Sequence, residues 1–255
     1  MNLKKLFSRK IFRNKKLKQL RNFIGIRPSF DIISYDEKNI SVSDAFFWRT
    51  DNGFKTIFKF TNLVSFFYRE LEKEIRIVFY DSKNNFIKEV YINGKEKNSI
   101  IIDKKYLNNM ESYGVFYVFH NTDVDINSII RNSCYTAFSL NNSLPSFVHG
   151  NTITAQKKLN AEKINFGLGG ISLFKKRTYH VQNYFEHDKK EIMLVNPTKK
   201  RIIIKINNLD LTLNTGCSIL LDLKNEKFIK ITSKCYLLRP IIFSYNKSYF
   251  DVHHG

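Results

Sequence analysis

From about residue 38 to its end, the chain is a succession of short runs in which apolar and polar residues alternate, each stopping at Asn, Asp or Gly. Side chains on a strand switch faces at every residue, so this pattern predicts half-buried antiparallel strands joined by turns. Beyond residue 30 helical spacing nearly vanishes. Asp51-Asn52-Gly53 lies between aromatic-rich arms spanning residues 46–60 and supplies residues that tolerate positive φ, which predicts a tight hairpin. A second hairpin is expected where Ile75, Ile77 and Phe79 lead through residues 81–85 into a strand at 86–92. Residues 100–102, 113–120 and 133–140 complete a first group of strands. Loop-rich stretches at 141–150 and 156–170 follow, and a second group of seven or eight strands begins at residue 179, spaced by roughly ten residues as in sandwich folds.

The first 30 residues differ in kind. They hold ten basic residues and no acidic one, which leaves 32 basic against 23 acidic for the rest of a chain whose formal charge is +19. Leu3, Leu6, Phe7, Ile11, Leu17, Leu20 and Ile24 recur at mostly three- and four-residue spacing until Pro28, the period of an amphipathic helix. Such a helix can lie in the headgroup layer of an anionic membrane, with Lys4, Lys5, Phe7, Lys15, Lys16 and Leu17 as the expected contacts. Docking of the helix on its own protein and a nucleic-acid-binding arm are the alternatives. Lys and Arg interrupt the apolar residues too often for a signal-peptide core, and no run approaches the ~18 apolar residues of a membrane-spanning helix.

This opening, MNLKKLFSRKIFRNKKLKQLRNF, resembles the basic lead-in of many bacterial capsule, lipopolysaccharide and surface-glycan assembly proteins that work at the cytoplasmic membrane face. The resemblance covers about a tenth of the chain. It implies a role in surface-polysaccharide biosynthesis and assigns no catalytic residue.

Cys134, Cys217 and Cys235 are odd in number and widely spaced, which predicts free thiols behaving as small hydrophobes in a reducing cytoplasm. Gly167-Leu168-Gly169-Gly170 lacks both the Lys-Ser/Thr of a P-loop and the context of a dinucleotide fold, and reads as a flexible loop. The terminus Asp251-Val252-His253-His254 places Asp251 and His253 on one face of an extended strand. With His149 they would make a two-His, one-carboxylate site for a divalent transition metal. Without that site, no cofactor is expected. Arg49 and Arg239 each interrupt a strongly apolar stretch, so each must reach the surface, pair with a carboxylate, or recognise a ligand oxyanion or sugar. Trp48 could then stack on a ring face, which makes Trp48, Arg49, His149 and Arg239 the candidate ligand-binding set.

The resulting expectation is an all-β protein of two β-sandwich domains, Ig-like or jelly-roll-like, at residues 31–145 and 146–255, preceded by a basic amphipathic helix over residues 1–30. A single larger jelly-roll-like sandwich is the alternative fold. The function expected is that of a non-catalytic or accessory protein of bacterial surface-polysaccharide biosynthesis that recognises a carbohydrate or glycan intermediate at the cytoplasmic face of an anionic membrane. A metal-dependent jelly-roll enzyme acting on a sugar or small acid is one rival, and a nucleic-acid-binding protein is the other.

Overall fold

Strand-forming residues dominate the computed structural model, which describes residues 14, 16–17, 20, 39–61, 72–93, 98–122, 129–131, 134–150, 152–158, 161–182, 187–223, 228–236, 238–247 and 249–254. In chain order, β1 (Ile40–Asp44) and β2 (Phe46–Arg49) lead through a 3-10 turn at Asp51–Gly53 into β3 (Phe54–Phe60). Then come β4 (Glu72–Asp81), β5 (Phe86–Ile92), β6 (Ser99–Ile102), β7 (Tyr113–Thr122), β8 (Ile129–Arg131), β9 (Cys134–Leu140) and β10 (Ser146–His149). Two linking strands follow, β11 (Ile153–Lys158) and β12 (Ile164–Phe166). The second half comprises β13 (Arg177–Gln182), β14 (Lys189–Val195), β15 (Ile202–Ile206), β16 (Leu209–Leu213), β17 (Ser218–Asp222), β18 (Phe228–Ser233), β19 (Ile241–Tyr245) and β20 (Phe250–His254).

The protein is all-β, and among the described residues its strands form five small four-stranded sheets. Two sheets belong to the first half, β2-β7-β4-β5 and β10-β9-β3-β6, and two to the second, β13-β18-β15-β16 and β17-β14-β19-β20. The fifth, β12-β11-β1-β8, combines antiparallel pairs with a parallel β1–β8 pair that period-two reading did not anticipate. With β8 set aside, numbering the eight strands of each half from one end gives the same orders twice, 1-6-3-4 and 5-2-7-8. In the first half both sheets contribute to one core, where Phe58 and Ile102 meet Ile77, Phe79 and Phe116. In the second half Ile192, Leu194 and Ile242 share a core with Ile204 and Ile231. A third core joins the halves, with Tyr117, Phe138, Met193 and Phe243 in one cluster.

The expected hairpin at residues 46–60 proves to be a corner. Asn52 (φ 51) and Gly53 (φ 82) adopt the anticipated positive φ, but β2 pairs with β7 while β3 pairs with β9 and β6. The turn residues dictate the reversal, whereas sheet membership is decided by where each arm buries its aromatic side chains. The second hairpin is present: β4 and β5 pair antiparallel, and the Asp81 carboxylate accepts the Lys83 and Asn85 backbone N–H groups. β10 pairs with β9, so the sheets of the first half continue to His149.

Of the expected N-terminal helix, the described residues are Asn14, Lys16, Leu17 and Leu20, and Lys4, Lys5, Phe7 and Lys15 lie outside them. Lys16, Leu17 and Leu20 have helical backbone. Asn14 acts as a cap whose Oδ1 accepts the N–H groups of Lys16 (3.0 Å) and Leu17 (3.2 Å). Among the described residues no helix is long and apolar enough to cross a membrane.

Candidate functional site

Neither Trp48 nor Arg49 faces solvent. Trp48 is fully buried, and its Nε1–H donates to the Tyr80 carbonyl at 2.9 Å. Gly114 lies so close beneath it that a Cβ there would sit 2.8 Å from Nε1 and 2.2 Å from the Tyr80 oxygen. The indole is therefore a core element rather than the expected stacking surface for a ligand. The Arg49 guanidinium, also fully buried, grips both carboxylate oxygens of Asp51 (3.0 and 2.7 Å) and donates to Glu191 (2.6 Å) and Tyr245 (3.1 Å). It lies over the rings of Phe54 (4.1 Å) and Phe243 (4.7 Å). Glu191 also accepts from Lys189 (2.8 Å) and from the Tyr245 hydroxyl. Burial pushes the Glu191 carboxyl up, but the Arg49 charge and these hydrogen bonds outweigh it and hold the group below the ordinary carboxylate value. Arg49 thus spends its donors on a clamp between β2 of the first half and β14 and β19 of the second.

The other expected residues gather where β10 runs along β20. Ser146 joins the two strands, donating to Asp251 Oδ1 (2.8 Å) and accepting the Val252 N–H (2.9 Å). Asp251 and His253 share a face as the spacing predicted, with His253 Nδ1 3.7 Å from Asp251 Oδ2. His254 points the other way, and both its ring nitrogens are buried without a hydrogen-bond partner. The Pro240 and His149 carbonyls lie nearby but outside bonding geometry. Desolvation, then the charge of Arg239, lowers the His254 pKa to about 4. Arg239 itself is exposed. Among the described residues no group of three or more His, Cys, Asp or Glu side chains is placed to hold a metal, so His149, Asp251 and His253 do not assemble into the anticipated triad. The thiols lack the surroundings of reactive cysteines: Cys134 and Cys235 are buried, and burial pushes the Cys235 thiol up to about 12.

Among the described residues, the outer face of the β10-β9-β3-β6 sheet carries features suited to a ligand. Register places His149, Tyr135 and Lys59 in one row across β10, β9 and β3, and Phe147, Ala137, Ile57 and Ile101 in the next. Tyr135, on the interior strand β9, and Phe147, on the edge strand β10, are each 44% exposed. The Tyr135 and His149 rings lie 4.4 Å apart at 42°, and Lys59 Nζ sits 5.4 Å from the Phe147 ring centre. Ala137 offers little bulk between Ile57 and Phe147. The result is a low apolar platform with a phenol, an imidazole and an ammonium around it. That combination can stack on the C–H face of a sugar ring while polar groups meet its hydroxyls. Sequence reasoning named His149 and missed the two aromatics. Their signal was period two: Phe147 and His149 are two apart and share a face, as do Tyr135 and Ala137.

The chain matches no protein-family model, no curated protein and no solved structure.

Proposed function

We propose that this chain is a non-catalytic, glycan-recognising protein that binds its ligand on the outer face of the β10-β9-β3-β6 sheet. The observation that carries the reading is the Tyr135–Phe147–His149–Lys59 platform, two half-exposed rings on one sheet face, Tyr135 beside His149 and Phe147 beside Lys59. The scaffold we infer is a sandwich present twice. A five-bladed propeller would have the same number of four-stranded sheets. The repeated 1-6-3-4 and 5-2-7-8 orders and the core shared by each pair of sheets favour two face-to-face pairs. Attachment to an anionic membrane face through the basic N-terminal segment completes the proposal. Leu17 (42% exposed) and Leu20 (53%) present part of their apolar surface to solvent, which supports that reading.

Affinity electrophoresis of the full chain through gels containing neutral and acidic bacterial polysaccharides tests the binding reading. At least one polysaccharide should retard the protein, and Tyr135→Ala/Phe147→Ala should abolish the retardation while leaving the thermal midpoint unchanged. Equal retardation of the variant, or none with any polysaccharide, overturns the platform as a glycan site. Lys59 beside exposed rings also suits stacked bases, so a single-stranded oligonucleotide belongs in the same series. Salt-sensitive oligonucleotide binding that disappears in the double variant, without any polysaccharide retardation, would replace glycan by nucleic acid.

A further inference from the structure

The second half carries a separate concave site on the outer face of the β13-β18-β15-β16 sheet. A cavity of about 310 Å³ is lined by Lys176, Arg201, Lys205 and Lys234, with Asp210 as its single carboxylate. The four cations come from four segments: the loop before β13, the residue before β15, β15 itself, and the residue after β18. All five charged side chains are exposed, none of the four cations makes an ion pair within bonding distance among the described residues, and Asp210, opposite Lys205 in register, leaves the lining with a net charge of +3. Unpaired like charges lining one concavity focus a positive potential into it.

The wall beside this cavity is held in place. Ile171 bridges Cys235, the Ser172 N–H donates to the Lys234 carbonyl (2.8 Å), and the Tyr236 N–H donates to the Gly170 carbonyl (2.9 Å). The glycine run leading into it is not the flexible loop expected from composition. Leu168 and Gly169 bridge Thr198, and the Gly169 N–H donates to the Pro197 carbonyl at 2.6 Å. Gly167 (φ +75) approaches the Thr198–Lys199 backbone so closely that a Cβ would fall 2.6 Å from the Lys199 nitrogen.

We infer that this cavity binds a small oxyanion-bearing sugar, a sugar phosphate or a sugar acid, with the cations on the anionic group and Asp210 accepting from a hydroxyl. The volume lies at the lower end of ligand pockets, about 300–1,000 Å³, which suits one sugar ring with one anionic group. No aromatic ring lines the cavity, so it offers no stacking surface for a nucleobase. The site is on the other half of the chain from the Tyr135–Phe147 platform and does not depend on it.

Isothermal titration of the full chain at low ionic strength, with glucose 6-phosphate, glucuronate and glucose as separate probes, tests the inference. One of the two anions should bind saturably and glucose should not. The preferred anion identifies phosphate or carboxylate as the recognised group. Lys205→Glu/Lys234→Glu should weaken that binding by about tenfold or more, whereas Lys83→Glu/Lys158→Glu, with the same net charge and both positions outside the cavity, should change it by less than about twofold. Far-UV circular dichroism checks that both variants stay folded. Absence of binding by either anion, equal weakening in both variants, or tighter binding of a single-stranded oligonucleotide lost in the cavity variant would each overturn the assignment.

Discussion

Replacing Arg49 with Met should remove a large part of the protein's stability, because the guanidinium is the cationic centre of a buried network joining the two halves. Two of its acceptors are on Asp51, whose side chain retains 15% exposure and can take water in compensation. Glu191 is 8% exposed and keeps only Lys189 and Tyr245 once Arg49 is gone. The cost therefore falls mainly on Glu191 as a buried carboxylate stripped of its main counter-charge. Breaking such a pair from one side typically costs about 3–5 kcal/mol, against about 5–15 kcal/mol for the whole stability of a domain. Urea unfolding followed by the fluorescence of Trp48, the single tryptophan, measures this next door to the perturbation. Glu191→Gln added to Arg49→Met should recover about 1–3 kcal/mol, the non-additivity of residues in one network.

The pH dependence gives an independent sign. In the native protein the Glu191 pKa lies below its ordinary value of 4.5, so this carboxylate contributes stability that is present above that value and lost as pH falls through the folded-state pKa. In Arg49→Met the upward push of burial loses its main opponent. The carboxyl then favours protonation, and the penalty of the substitution should shrink as pH is lowered through its pKa. A loss under about 1 kcal/mol, or a loss that does not change between neutral and acid pH, would refute the reasoning.

Two further outcomes are expected. The depressed His254 pKa, about 4 against 6.5 unfolded, means that the unfolded chain takes up this proton first, so stability should fall as pH drops from about 6.5 towards 4. After allowance for partial exposure of the ring the contribution is about 1–2 kcal/mol. His254→Leu should flatten unfolding free energies across that interval by this amount, and an unchanged slope would show that His254 does not carry the effect. Lys15→Gln/Lys16→Gln in the full chain should sediment with anionic vesicles about 30-fold more weakly than the native protein, since each cation near such a surface contributes about 1 kcal/mol. Equal sedimentation with anionic and neutral vesicles would remove the membrane from the proposed function.

Most strands, the β4–β5 hairpin and the common face of Asp251 and His253 were legible in the chain, because each depends on neighbours within a few residues and on the two-residue period of extended backbone, whereas β10 and β12 lie inside stretches whose Pro, Gly and polar residues read as loops. The need of Arg49 for a carboxylate was legible too: one partner, Asp51, is two positions on, but the other, Glu191, is 142 positions away. The same local pattern could not show that β2 and β3 enter different sheets, since that depends on which distant strands cover their aromatic faces. Trp48 and Tyr135 look alike as aromatic residues in strands. One lies against Gly114 inside a shared core and the other on an uncovered face, a distinction made only when sheets stack. The four cavity cations look like ordinary solvated lysines and arginines along the chain. Only strand pairing and the anchored loop bring them around one space, where Coulomb interactions that sequence distance had hidden become short-range.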